Sequence, residues 1–286
     1  MPNEPILISS SDEDNSLKMW FFEKGMTQPR ILKERCGHAE PPQRIRFYGG
    51  KDDPVNQGAR NIISCAPDGS LRDISLLNEF QSINFSQKNL QKTSEVIRDE
   101  GDKGLGKVEK FDFSEFRERD WQNVLTCQDK AKAPYLWSSA SHSISKIPVE
   151  NTQAKVRVTA VAVSNCGNFG VLGYENGGLQ KFNMQSGKDR GEFVSKLTGA
   201  DSETHKGEIS GLGIDMMNKM LVSSSKDSTI KLWEFYRREL QKTYRCEYPV
   251  ENLCYNRMND LIAFSLSDLT LQVVNARTGL KKVREF

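Results

Sequence analysis

The sequence predicts an all-β protein, a β-propeller of about five and a half four-stranded antiparallel blades. Three observations carry that prediction: short segments alternating polar and apolar residues, turn signatures between them, and a spacing of marker residues that recurs along the chain. The complete copy reads HKGEISGLGIDMMNKMLVSSSKDSTIKLWEF over residues 205–235. Residues 221–225 are a short strand, 226–228 a turn, and 229–233 alternate as a half-buried strand does, so the two strands form a hairpin. Residues 207–215 and 242–246 supply a first and a fourth strand. A single sheet of this kind cannot bury both of its faces, and stacking copies around an axis solves that problem.

Four polar residues of this copy can close a hydrogen-bonded chain: His205 before the first strand, Ser223 in the second, Asp227 in the turn and Trp233 in the third. Buried imidazole, hydroxyl, carboxylate and indole N–H groups can satisfy one another in sequence and pin the turn to the sheet. The arrangement resembles a WD-type repeat. His205 and Asp227 are 22 residues apart and Asp227 and Trp233 are 6 apart, and the shorter interval serves as a ruler for the other copies.

Residues 1–35 are read as a partial blade: 6–10 is a strand, Asp14 takes the turn, and 17–20 closes the hairpin with Ser10 and Trp20 in the hydroxyl and indole slots. The half-blade expected before Ile6 is missing, so the chain is expected to begin inside a repeat. Residues 36–85 are a blade with His38, Ser64 and Asp68 in their slots, Ile74 in place of the tryptophan, and a long loop at 49–60 rich in Gly, Asp, Pro and Asn. Residues 86–110 are charged and poor in apolar groups, the composition of a flexible insertion. Residues 111–155 read as a degenerate blade: a charged lead-in over 113–120, strands at 121–127 and 135–138, then a turn and third strand over 141–147. Ser141 takes the Asp slot there and Ile147 the Trp slot.

Residues 156–200 form a clearer blade, with strands at 159–164, 169–174 and 179–182; Asn176-Gly177 is a strong hairpin turn, and Asn176 to Phe182 again spans 6. The complete blade occupies 201–246. Residues 247–286 carry strands at 250–255, 261–265, 270–274 and 282–286 and lack a successor.

Composition narrows the function. The 40 Lys and Arg against 38 Asp and Glu leave a net charge of +2, which argues against a dedicated nucleic-acid or acidic-membrane surface. No apolar run reaches membrane-spanning length and the first residues lack a signal-peptide pattern, so a soluble intracellular protein is expected and the Asn84-Phe85-Ser86 sequon has no secretory route. Six cysteines (Cys36, Cys65, Cys127, Cys166, Cys246, Cys254) show no CxxC spacing and are read as buried thiols.

Enzyme-like motifs are weak. Ser, His and Asp occur in one module, but no Gly-x-Ser-x-Gly elbow presents a nucleophile. Residues 101–107, GDKGLGK, match the spacing of a phosphate-binding loop; Val108 stands where a magnesium-binding hydroxyl belongs, and charged EVIRDE replaces the apolar strand that should precede it. Cys36 and His38 lack a second ligand pair. The acidic run after Ser9 reads as a turn rather than a kinase site, His142 as an exposed turn residue, and the basic pairs Arg117/Arg119, Arg237/Arg238 and Lys281/Lys282 as solvated surface. A non-catalytic scaffold without cofactor or metal is therefore expected.

Several longer runs resemble one family: FFEKGMTQPRILKERCGHAEPPQRIRFYGG (21–50), DGSLRDIS (68–75), RERDWQNVLTC (117–127), SNCGNFGVLGYENGGLQKFNMQSGKDRGEF (164–193) and TGLKKVREF (278–286). They are similar to the WD-repeat subunit of the small-subunit processome, the U-three-protein-twenty-one family. Its most specific parts are CGNFG (166–170), NMQSG (183–187) and Arg190-Gly191, which generic WD repeats do not share. The resemblance implies a nucleolar, non-catalytic subunit of the UTP-B subcomplex, associated with the U-three snoRNP and pre-ribosomal RNA in 18S rRNA maturation, with direct RNA contact left open. It also implies tandem propellers and a helical C-terminal domain, of which this chain would be an internal part. The residues alone leave a second reading open, a WD-repeat adaptor of another assembly such as a ubiquitin ligase or signalling complex.

Overall fold

The computed structural model describes residues 6–23, 25, 28–49, 60–78, 80–89, 105–129, 133–153, 156–194, 204–257 and 259–286. Among them every regular element is a strand, and the strands form six antiparallel sheets whose neighbours are consecutive in the chain. Blade 1 holds three strands, β1 (Ile6–Ser10), β2 (Leu17–Phe21) and β3 (Arg30–Arg35). Five four-stranded blades follow. Blade 2 is β4 (Arg44–Tyr48), β5 (Asn61–Cys65), β6 (Leu71–Ser75) and β7 (Ser82–Asn84); blade 3 is β8 (Val108–Phe113), β9 (Val124–Gln128), β10 (Tyr135–Ser138) and β11 (Ser143–Ile144). Blade 4 is β12 (Val158–Val163), β13 (Phe169–Tyr174), β14 (Leu179–Asn183) and β15 (Asp189–Glu192). Blade 5 is β16 (Ile209–Ile214), β17 (Met220–Ser225), β18 (Thr229–Glu234) and β19 (Glu239–Arg245); blade 6 is β20 (Val250–Asn256), β21 (Leu261–Leu266), β22 (Leu271–Asn275) and β23 (Lys281–Glu285). This is the propeller the sequence predicts.

Successive side chains of a strand point to opposite faces, so one strand serves two interfaces. In β5, Ile63 and Cys65 enter the core shared with blade 3, while Ile62 enters the core shared with blade 1. In β9, Val124 faces blade 2, and Leu125 and Cys127 face blade 4. In β17, Leu221 packs toward blade 4 and Val222 toward blade 6. Each blade thus meets the next through its own apolar core, and each fully buried Leu, Ile or Val contributes roughly 1.5–3 kcal/mol. Strands covered on both faces lose their alternation: VTAVAV of β12 is buried throughout. Outer strands such as β7 and β23 are exposed along their whole length.

The inner strands β4, β8, β12, β16 and β20 surround a central cavity of about 400 Å³. Gly211 and Gly213 of β16 let blade 6 approach closely, since a Cβ at either position would come 2.5 Å from the Cβ of Leu253 or Tyr255.

The structure differs from the sequence reading in several places. The described ends of the expected flexible insertion belong to the sheets: Ser86 bridges Ser143, and residues 108–110 open β8, with Val108 fully buried. Residues 90–104 of that insertion, and 50–59 of the long loop, lie outside the described residues. The sequence pattern frames the degenerate blade one strand late. Its first strand is β8, its third is β10, and Trp137 rather than Ile147 fills the indole position, because SASHS imitates a turn better than the true β9–β10 connection does. The polar outer strands β3 and β7 carry too few apolar residues to show a pattern. Cys65 and Cys127 are buried, but Cys36 and Cys254 are exposed, Cys254 because it lines the cavity on β20 while Leu253 and Tyr255 beside it pack against the core. No helix among the described residues is long and apolar enough to cross a membrane.

Candidate functional site

Blade 5 assembles His205, Ser223, Asp227 and Trp233 into one chain. The Trp233 indole N–H donates to Ser223 Oγ at 2.8 Å, and Ser223 Oγ lies 2.8 Å from His205 Nε2. His205 Nδ1 lies 3.1 Å from Asp227 Oδ2, which also accepts the Lys206 backbone N–H at 2.9 Å. One assignment satisfies every group: Trp233 donates to Ser223, the Ser223 hydroxyl to Nε2, and Nδ1–H to Asp227. That assignment requires a neutral ring. Burial pushes the His205 pKa below its usual value, against the pull of Asp227. Burial alone would raise the Asp227 carboxyl, but His205, Thr229 and the Lys206 N–H together hold it well below the usual carboxylate range.

Blade 2 varies the design: the indole is absent, and Ser70 rather than the expected Asp68 meets the imidazole Nδ1, Asp68 Oδ2 standing 3.6 Å away. His38 places Nε2 2.7 Å from Ser64 Oγ and Nδ1 2.7 Å from Ser70 Oγ, while Asp68 accepts the Ala39 N–H at 2.9 Å and the Ser70 N–H at 2.8 Å. In blade 1 the Trp20 indole donates to Ser9 Oγ at 2.8 Å, not to Ser10. The register explains the correction. Ser9 pairs with Lys18 as Ser223 pairs with Lys231, and one more residue separates the paired positions in blade 1, so counting four back from Asp14 falls one residue short. Asp14 itself accepts from the Ser16 N–H and hydroxyl at 3.1 and 2.7 Å.

Sequence reasoning missed a recurrent partner, the hydroxyl two residues after the turn aspartate. Thr229 gives Asp227 Oδ1 both its N–H (2.9 Å) and its hydroxyl (2.6 Å), and Thr270 does the same for Asp268 at 3.0 and 2.8 Å. The Asp-x-Ser/Thr pattern is visible at Asp14, Asp68, Asp227 and Asp268 and is the signal that finds it. Also missed was the blade 3 pair, in which the Trp137 indole donates to Thr126 Oγ1 at 2.9 Å. Blade 4 substitutes a different cluster, with Tyr174 OH donating to Asn151 Oδ1 at 2.7 Å and the Gln180 amide donating to Asp189 Oδ1 at 2.7 Å. His142, read as an exposed turn residue, is half-buried and reaches across to Asp73 of blade 2 at 3.1 Å.

None of these clusters presents a nucleophile to a cleft: Ser223 is fully buried and its oxygen is already shared by an indole and an imidazole. The phosphate-loop motif fares no better. Residues 101–104 lie outside the described residues, and Lys107 leads directly into the buried strand β8 rather than into a helix whose N-terminus could hold a phosphate.

Inside the cavity, Asp112 is the meeting point of three other blades. Its carboxylate accepts from Arg46 of β4 and from Arg257 Nη2 at 3.0 Å, and also from the Val163 N–H at 2.8 Å and its own neighbour's, Phe113, at 2.8 Å. Arg257 donates in addition to the Val163 carbonyl at 3.0 Å.

Stacked four-stranded blades whose turns are tied by His, Ser, Asp and Trp define a WD-repeat β-propeller. Residues 43–286 match the family model for the WDR36/Utp21 second β-propeller domain, and the chain belongs to that family. It is 33% identical over 286 residues to the U3 small nucleolar RNA-associated protein 21 homolog of Schizosaccharomyces pombe, covering 99% of this chain and 30% of that protein. It is 29% identical to the human WD repeat-containing protein 36, covering 99% of this chain and 31% of that one, and 30% identical to U3 small nucleolar RNA-associated protein 21 of Saccharomyces cerevisiae, covering 96% and 28%. The chain therefore spans less than a third of the length of these relatives.

Proposed function

We propose that this chain is a propeller module of a non-catalytic scaffold in ribosome biogenesis, working in the small-subunit processome with the U3 snoRNP during maturation of pre-18S rRNA. The carrying observation is the similarity along 99% and 96% of the chain to two proteins whose names tie them to U3 small nucleolar RNA. The architecture supports this reading: buried polar groups are spent on fixing turns, leaving rims and strand edges for docking. In this proposal its neighbours are the other UTP-B subunits and processome proteins, U3 snoRNA and pre-rRNA lie within the same particle, and the protein resides in the nucleolus.

The test is affinity purification of the tagged protein from growing cells, with U3 snoRNA quantified in the eluate and the tag imaged. Enrichment of U3 over an untagged control and nucleolar signal are expected. Recovery with a ubiquitin ligase or signalling complex and no U3 enrichment would overturn the proposal.

A further inference from the structure

The central cavity carries more positive charge than its own carboxylate can balance. Four cationic side chains, Arg44, Arg46, Lys110 and Arg257, line it against the single carboxylate of Asp112. Asp112 is already saturated by Arg46, Arg257 and two backbone N–H groups. The other two cations rest on neutral acceptors: Arg44 donates to Asn252 Oδ1 at 3.3 Å, and Lys110 to the Ser210 carbonyl. Three carboxylates, Glu109, Glu208 and Glu251, line the adjoining mouth, and the first two are paired with other cations. Glu208 pairs with Arg157 at 3.2 Å and with Lys226 at 2.7 Å, and Glu109 with Arg157 at 3.5 Å.

The like charges feel one another. Burial and then the Arg257 and Arg44 charges lower the Arg46 pKa, and burial followed by the Arg44 charge pushes Lys110 down to about 8. The walls contributed by β12 and β16, including Ala160, Val161, Gly211 and Gly213, bring no counter-charge. A concave site of about 400 Å³ falls in the size range of small-ligand pockets and is too small for a folded partner. A dianion or larger polyanion there would remove the mutual repulsion and give Arg44 and Lys110 the charge-assisted hydrogen bonds they lack.

We infer that the propeller channel is a binding site for a small, multiply phosphorylated anion, held by Arg44 and Lys110 above the Arg46–Asp112–Arg257 cluster. The site is independent of the ribosome-biogenesis reading.

The experiment titrates the full chain with inorganic tripolyphosphate by calorimetry, at constant ionic strength, with orthophosphate and a short oligouridylate as parallel probes. Saturable one-to-one binding of tripolyphosphate is expected, weaker by about tenfold or more in Arg44→Gln and in Lys110→Gln, since each loses a charge-assisted contact while keeping an amide for its neutral partner. Arg190→Gln, on the outer strand β15, should bind as the wild type does. Affinity should fall between pH 7 and pH 9 as Lys110 loses its proton among Arg44, Glu109, Glu208 and the Cys127 thiol. Circular dichroism confirms that each variant is folded, and either one alone suffices. Absence of saturable binding, equal loss in Arg190→Gln, unchanged affinity in both channel variants, or binding of the oligonucleotide without tripolyphosphate would each overturn the inference.

Discussion

Burial favours the neutral imidazole at His205, and this gives the protein a defined acid sensitivity. The folded-state pKa of His205 lies below the unfolded value of about 6.5, so below that pH the unfolded chain binds more protons and stability falls. His38 is shifted the same way, burial again outweighing its aspartate. Asp227 is depressed, so its contribution is present above the unfolded carboxyl value of about 4 and is lost as pH falls further. The urea midpoint should therefore decline in two stages on acidification below pH 7, after a small drop between pH 8 and 7 as Lys110, held at about 8 by burial, takes up its proton. His205→Gln should shrink the upper stage to the share of His38; an unaltered profile would refute the neutral-ring assignment. Trp233→Phe keeps most of the buried ring but removes the donor to Ser223, and should cost about 1–3 kcal/mol in urea unfolding. Much of this was legible in the residues: His205, Ser223, Asp227 and Trp233 meet as their spacing implied, as do His38 and Ser64. Ser9 was hidden because one more residue between the paired positions shifts the count without altering the pairing.

At the scale of elements, alternation in sequence marks a strand only when one of its faces is wet. The inner and middle strands β9, β12 and β14 are buried on both faces, and the outer strands β3 and β7 are mostly exposed, so each kind departs from the simple pattern in its own direction. That is why the pattern misplaces blade 3: buried VLTCQ and the short YLWS offer no period, and β8 begins inside a stretch that reads as an insertion. Thr126→Val tests the corrected frame, because it strips the Trp137 indole of its acceptor and should cost about 1–3 kcal/mol in thermal or urea unfolding, whereas Ile147→Val should cost less than half as much. Close approach of strands sets a second expectation. Gly211→Ala drives a methyl against the Leu253 Cβ and should destabilise by about 1–3 kcal/mol, while Gly178→Ala meets the side-chain ends of Gln153 and Asn176 rather than a fixed Cβ and should be cheaper.

For the whole molecule, the apolar cores run in series, each shared by two successive blades. Asp112 works across that series, tying β4, β8, the end of β12 and the residue after β20 together through the cavity. Asp112→Ala leaves Arg46 and Arg257 facing each other without their shared partner and should cost about 3–5 kcal/mol, read as a lowered urea midpoint partly restored by salt. If the midpoint did not move, the cluster would be ornamental to stability.

Because no single core is common to all six blades, damage at one seam leaves the others whole. Truncating Ile230, which faces blade 6, should quicken amide exchange in β20 to β23 well before it reaches β4 to β7. A partner gripping blades on both sides of a weak seam would then act as a splint, and the protein's endurance would be set by the company it keeps as much as by its own sequence.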